Sequence, residues 1–250
     1  MFKSLKVRRN QGWQFIADLH TAVPVGFRGR PEISEAPCEQ GCVECQKVCP
    51  TKAILLDPVR IDLARCIFCS ECVFACPDKK IEFTPETRMG AAAPEGLVVF
   101  PGRAAPTPVA TSAALKKLFG RSLKLRQVSA GGCNGCELEL NALANVNFDL
   151  QRFGIEWVAS PRHADGLVLS GPVTANMADA LQLAWDAMPE PRFLVSFGAC
   201  ALSGGPYAES TVLDRAFLER FKPALLVPGC PPHPLTFIAA ILDLLGIAPE

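Results

Sequence analysis

Cysteine is the residue type in this chain with the clearest chemical potential. Of 250 residues 12 are cysteines. Eight fall in two runs, Cys38-x3-Cys42-x2-Cys45-x3-Cys49-Pro50 and Cys66-x2-Cys69-x2-Cys72-x3-Cys76-Pro77. Thiolates at such intervals suit an iron–sulfur cubane, a compact body that needs four sulfur ligands. Three come from one tight loop, where short gaps let each sulfur face a common centre. The fourth comes from elsewhere, because one loop does not wrap the whole cube.

Two copies of three-plus-one, each ending in Cys-Pro, match the run of a two-cluster bacterial ferredoxin. In that pattern the cysteine before proline ligates the other cluster. Cys38, Cys42, Cys45 and Cys76 are therefore expected to hold one [4Fe-4S] cluster, and Cys66, Cys69, Cys72 and Cys49 a second. Pro50 and Pro77 fix the backbone just past the crossing cysteines and turn the chain away. The gap Cys38-x3-Cys42 is one residue longer than usual. A disulfide framework would need an oxidising compartment, and the N-terminus does not read as a secretory signal. Zinc ribbons also use paired cysteines, but zinc gives no reason for two three-plus-one sets with a terminal Cys-Pro.

The elements that must position these residues divide the chain. Residues 1–37 read as an extension, 38–88 as the two-cluster module, 89–112 as a Pro- and Ala-rich linker, and 113–250 as a larger domain. Within the module, Cys-Pro-Thr-Lys-Ala-Ile at 49–54 answers Cys-Pro-Asp-Lys-Lys-Ile at 76–81, and a short strand is expected after each Cys-Pro turn. So small a domain draws much of its stability from its clusters. In the linker, Leu97-Val98-Val99-Phe100 could dock as a strand. From 113 a basic helix (113–121) leads into short apolar strands at 125–129, 155–159, 166–170, 192–197 and 224–228. These alternate with helices at roughly 137–149, 176–187, 212–220 and 234–245. The alternation predicts an α/β fold with a parallel sheet.

The last four cysteines, Cys133, Cys136, Cys200 and Cys230, each follow an expected strand end. Ligands gather at the carboxyl ends of strands in open parallel sheets. Glycines flank each position, at 131, 132, 135, 198 and 229, and allow close backbone approach to a bulky group. A third cluster is one reading. A redox-active Cys133-x2-Cys136 pair with two structural cysteines, or a zinc site, are the others.

The bulk numbers exclude more than they assign. With 25 basic and 25 acidic residues the formal charge is zero, which gives no reason to expect nucleic acid. No dinucleotide, phosphate-loop or His-Glu-x-x-His motif occurs, so direct binding of NAD, flavin or ATP is not expected. The longest apolar stretch, Leu235 to Leu245, is broken by Asp243 and falls short of the ~20 residues a membrane span needs. At the N-terminus Lys3, Lys6, Arg8 and Arg9 precede Trp13, Phe15, Ile16 and Leu19. Such a segment can lie on a membrane or partner as an amphipathic helix, or pack on its own domain.

The motifs of the larger domain carry a resemblance. Gly131-Gly132-Cys133-Asn134-Gly135-Cys136-Glu137-Leu138-Glu139 is followed by Ser160-Pro161-Arg162-His163-Ala164-Asp165 and Gly171-Pro172-Val173-Thr174. Then come Gly198-Ala199-Cys200-Ala201-Leu202-Ser203-Gly204-Gly205 and Pro228-Gly229-Cys230-Pro231-Pro232. Together they resemble the small subunit of membrane-bound, energy-converting [NiFe] hydrogenases of the formate hydrogenlyase type, a family that includes the proximal-cluster subunit of respiratory complex I. The first half, with Phe27-Arg28-Gly29-Arg30-Pro31-Glu32 ahead of its clusters, resembles the two-cluster ferredoxin-like subunit of the same complexes. The two are fused here. Complex I relatives carry adjacent cysteines where this chain has Cys133-x2-Cys136, and tend to have Gln at His163, so the hydrogenase branch is favoured.

The resemblance implies a ferredoxin-like domain joined to a flavodoxin-like α/β domain, with three [4Fe-4S] clusters, the third held by Cys133, Cys136, Cys200 and Cys230. It implies an electron-transfer subunit of an oxidoreductase whose catalytic site lies in a large partner subunit holding nickel and iron, or a quinone site. Other subunits of a membrane-associated complex are implied too, with this chain peripheral on the cytoplasmic side. No residue of its own is expected to be catalytic. Glu137 reads as a carboxylate favoured at a helix start. Glu139 is a candidate proton relay, and His163 a candidate contact to partner or cluster.

Overall fold

The computed structural model describes residues 2–12, 14–19, 22–102 and 109–247. Its first third holds three helices, α1 (Phe2–Gln11), α2 (Glu44–Lys47) and α3 (Glu71–Ala75), and five strands. The strands are β1 (Pro31–Ile33), β2 (Ile54–Leu55), β3 (Arg60–Asp62), β4 (Ile81–Phe83) and β5 (Val98–Val99).

The internal repeat is visible in the backbone. α2 carries Cys45 and α3 carries Cys72. Each Cys-Pro turn then passes through a lysine in the left-handed region, Lys52 (φ 54°) and Lys79 (φ 49°), before β2 or β4 begins. These two strands do not pair with each other. β2 runs antiparallel to β3, β3 to β5, and β4 to β1. Segments on both sides of 38–88 therefore complete the two cysteine-bearing halves. The core they enclose is small: Ile33, Ile54, Ile61, Ile81, Leu97 and Val99 pack with the buried Cys45, Cys66 and Cys72.

Among the described side chains of α1 no apolar stripe forms. Leu5 and Val7 are 56% and 52% exposed, and two helical steps put them on roughly opposite sides. Trp13 lies outside the described residues. Phe15, Ile16 and Leu19 turn back onto the larger domain: Ile16 N–H donates to Asn147 O at 2.7 Å, Arg152 Nη2 donates to Ile16 O at 2.8 Å, and Leu19 joins the core. Of the residues expected to face a membrane or partner, Phe15, Ile16 and Leu19 are thus used within the chain.

The remainder is layered. After α4 (Ala113–Phe119) come β6 (Leu123–Ser129), α5 (Gly135–Ala142), β7 (Ile155–Trp157), β8 (Gly166–Ser170), α6 (Ala175–Asp186), β9 (Phe193–Phe197), α7 (Ala199–Ser203), α8 (Ala216–Arg220), β10 (Leu225–Val227) and α9 (Pro234–Leu245). The five strands form one parallel sheet in the order β10-β9-β8-β6-β7. This is the flavodoxin-like order, in which neighbouring strands reverse direction of winding between β6 and β8. Alternate residues serve opposite faces. Val168, Val195 and Phe197 pack with α5 and α9, while Leu167, Leu169 and Leu194 pack with Leu181 and Trp185 of α6. A sheet covered on both faces explains why β8 and β9 are buried at every position.

Helix α9 is apolar almost all round because it is covered almost all round. Pro234 occupies its first turn, His233 Nδ1 accepts the Leu235 N–H at 3.2 Å, and Gly246 (φ 60°) ends it. The 89–91 segment lies on its outer side, where a Cβ at Gly90 would come within 2.5 Å of Ala240 Cβ. One residue further along, Ala91 N–H donates to Leu226 O at 2.9 Å, and Ala91 O accepts the Leu226 N–H in return at 2.8 Å. Arg88 pairs with Asp243 at 3.4 Å. Within the stretch read as a linker, residues 89–91 pack against α9 and β10 while 92–96 are exposed; its Ala104-Ala105-Pro106 and Pro108 lie outside the described residues.

Candidate metal centres

The carboxyl edge of the parallel sheet gathers four cysteines. Cys133 comes from the turn between β6 and α5, Cys136 from the first turn of α5, Cys200 from the first turn of α7 after β9, and Cys230 from the turn between β10 and α9. All four line one cavity of about 70 Å³, together with Gly132, Gly135, Glu137, Gly171, Ala199, Gly229 and Pro231. Gly171 follows β8, so the cavity opens at the crevice between β6 and β8 where parallel-sheet folds place ligands. Asn134 takes a left-handed conformation (φ 72°) to turn Cys133 and Cys136 inward. Gly198 is required: its φ is 91°, and a Cβ there would sit 2.6 Å from Cys136 Sγ.

The first eight cysteines lie in two neighbourhoods, and Cys76 and Cys49 are near enough to act on Cys45 and Cys66 respectively. Burial pushes the Cys45 thiol up, and among its charged neighbours Cys76 ranks first, ahead of Cys38 and Cys42. Burial likewise pushes Cys66 up to about 12, with Cys72, Cys49 and Cys69 acting in the same direction. Cys49, Cys66, Cys69 and Cys72 line a small, mostly apolar space with Ile54, Ile61 and Phe83. Cys38 and Cys42 instead border an open hollow of about 450 Å³. The repeat extends to sulfur hydrogen bonds. Ala53 N–H donates to Cys49 Sγ at 3.2 Å, and Lys80 N–H to Cys76 Sγ at 3.3 Å, each from four residues on.

The donor sets are made of thiols alone. Thiolates around one zinc would stand within about 4 Å of each other. Among the described residues no three His, Cys, Asp or Glu side chains converge closely enough to hold a lone ion. All-thiol sets of four spaced around a cavity are the donor arrangement of iron–sulfur cubanes. Loading such a set displaces protons, since burial also holds the Cys72 and Cys200 thiols up at about 11.

The polar residues around the third cavity separate in role. Ser170 Oγ donates to Glu137 Oε1 at 2.7 Å. Burial pushes the Glu137 carboxyl up, but the hydroxyls of Ser129 and Ser170 outweigh it and hold the group below the usual carboxylate range. Glu139 has no such donors, and burial alone pushes it up. It lines a groove between the two halves of the chain, with Phe27, Phe68, Met89, Cys230 and His233. His163 is exposed in a turn after β7 and lines none of the three spaces.

Three features beside the site carry no signal in the sequence. His233 is wedged between the rings of Phe27 and Phe148, with centroids at 5.4 and 5.7 Å, and burial lowers its pKa. Val173, fully buried, sits at φ 63°, a strained conformation for a β-branched residue. Arg215 reaches four backbone carbonyls around Cys200. One arginine inside the helix expected at 212–220, with no motif around it, gave no reason to single it out.

Residues 133–244 match the family described as NADH ubiquinone oxidoreductase, 20 Kd subunit. A probable membrane-bound hydrogenase subunit of Pyrococcus furiosus is 38% identical over 131 residues, spanning 52% of this chain and 78% of that protein. The chain belongs to this family. Formate hydrogenlyase subunit 7 of Escherichia coli is 38% identical over 135 residues, covering 54% of this chain and 53% of the relative. An NADH-quinone oxidoreductase subunit of a Hydrogenobaculum species is 39% identical over 128 residues, covering 50% and 70%. The family match begins at Cys133 and takes in all four cysteines of the third cavity. The first eight cysteines lie ahead of it.

Proposed function

We propose that this 20 kDa-subunit family member is the electron-transfer subunit of a membrane-associated [NiFe] hydrogenase, with a two-cluster ferredoxin-like domain fused ahead of it. The reading assigns residues 1–37 to an extension, 38–88 to the ferredoxin-like domain, 89–112 to the connection and 113–250 to the family domain. Cys38, Cys42, Cys45 and Cys76 would hold one [4Fe-4S] cluster, Cys66, Cys69, Cys72 and Cys49 a second, and Cys133, Cys136, Cys200 and Cys230 a third. The observation that carries it is the third cavity, where cysteines from three separate turns line one space at the sheet edge. When bound, the clusters supply one-electron transfer. The chain's own residues hold them, exclude water from the second, and donate N–H groups to sulfur, all of which set potential. The catalytic site would lie in a large partner subunit.

Membrane association in this reading is peripheral and on the cytoplasmic side. Among the described residues no helix is long and apolar enough to cross a membrane, and the named relatives include a membrane-bound hydrogenase subunit. A quinone-reducing or nickel-free partner is the second reading, favoured by the comparable identity to the NADH-quinone oxidoreductase relative. The Cys133-x2-Cys136 spacing favours the hydrogenase.

Metal analysis of the complex, purified anaerobically through this chain, tests both levels. About twelve irons per chain, four per cubane, with nickel in the partner, supports the hydrogenase. The same iron without nickel moves the assignment to the quinone-type relative. Cys133→Ala should remove one cluster's worth of iron and leave the other two clusters; unchanged iron would sink the third site.

A further inference from the structure

The third cavity is built from segments at the ends of neighbouring strands, and backbone bonds already join some of them: Gly198 N–H donates to Val227 O and Ala199 N–H to Gly229 O, both at 2.8 Å. Cys200 sits on α7, a helix of five residues, too short to hold its own direction. Opposite it runs the Gly171-Pro172-Val173 loop after β8, which contains the strained Val173. The sheet holds the two as far as the last β8–β9 pair, Ser170 with Phe197, and a side chain can tie them together beyond it.

Arg215 does so. Its Nη1 donates to Pro172 O and to Cys200 O, both at 3.2 Å, and its Nη2 donates to Ala201 O at 2.8 Å and Leu202 O at 3.0 Å. One guanidinium thus spans both walls. Three of its acceptors lie along α7, so the positive charge also faces carbonyls directed toward that helix's C-terminal end. The arginine is itself anchored. Asp214 N–H donates to Val173 O at 2.9 Å, Ala175 N–H donates to Val212 O at 2.9 Å, and Thr174 bridges to Leu213. Lysine could keep the charge but not the planar fork.

We infer that Arg215 is a positioning residue for the third centre: it ties the Cys200 turn to the Pro172 loop, fixing the direction of Cys200 Sγ, and it places a permanent positive charge beside that ligand. The second effect follows from Coulomb's law. A fixed cation favours the more negative, reduced state of a cluster, and does so more strongly when partly buried than in water. The inference rests on the three-cluster reading, and its test keeps the two apart.

The test is an EPR-monitored redox titration of the full chain in its complex, with iron counted, for the wild type, Arg215→Met and Arg215→Lys. In Arg215→Met the third cluster's potential should become more negative and its spectrum should change, while the two ferredoxin-type clusters keep theirs. Arg215→Lys should restore most of the potential and less of the spectrum, because it returns the charge without the fork. If both variants lose one cluster's iron yet keep the other clusters and the wild-type Tm, the positioning role stands. An unchanged potential and spectrum in Arg215→Met would overturn it, as would collapse of the whole domain in both variants, which would make Arg215 an ordinary structural residue. A wild type with no third spectrum would overturn the three-cluster reading instead.

Discussion

The α/β half of the chain packs its five-stranded sheet between helical layers, with β8 and β9 buried at every position. The cysteine-rich half has strands of two or three residues and a core in which Cys45, Cys66 and Cys72 count among the buried side chains. One half has enough apolar surface to fold around itself. The other brings its elements together around sulfur. The difference teaches where each kind of centre gets its rigidity. The third set of cysteines is fixed by the sheet edge that carries it, whereas the first two sets also organise the domain that surrounds them.

The comparison breaks most readily by removing metal. Anaerobic chelation should abolish amide-exchange protection across β1 to β5 while β6, β8 and β9 stay protected; equal loss in both halves would refute the contrast. Next in size, Leu169→Ala in the fully buried β8 should cost about 2–5 kcal/mol, read as a lower Tm of the α/β half with the ferredoxin-type spectra intact. Gly198→Ala combines a left-handed φ with a Cβ 2.6 Å from Cys136 Sγ. Strain of that kind costs about 1–3 kcal/mol, and iron analysis should show the third cluster lost and the others kept. Ser112 caps α4 by accepting the Leu115 N–H at 3.3 Å, and Ser112→Ala should cost about 1 kcal/mol in denaturant unfolding. Smallest of all, deleting the exposed residues 3–11 should shift stability by no more than about 0.5 kcal/mol.

The same contrast governs what could be read from sequence. β8, β9 and β10 were legible because each is a short apolar run followed at once by glycine or proline; β6 and β7 interleave polar residues, and all five form within a few residues of the expected bounds. The two cysteine runs of the first half stand out because their pattern lies in spacing, which is local, whereas Cys133, Cys136, Cys200 and Cys230 are joined only by the fold. Pairing in the small domain was not. β4 takes its partner from residues 31–33 and β3 takes one from 98–99, and nothing in either segment announces a partner so far along the chain. Helix α1 reads as basic with aromatics close behind, yet Phe15 and Ile16 turn back through contacts with Arg152 and Asn147. Arg215 was invisible for a related reason. Its acceptors are backbone carbonyls, which every residue has, so its sequence neighbourhood carries no mark of what it holds.

The paired backbone bonds between Ala91 and Leu226 have a consequence for assembly. Because one chain supplies both partners, the contact closes at an effective concentration of the order of millimolar. An association between separate proteins with a dissociation constant of tens of micromolar would be mostly apart at cellular levels, whereas here it would be mostly closed. The small domain therefore needs only a modest docking surface on the large one, and its ratio to the large domain stays at one to one however much of the protein the cell makes.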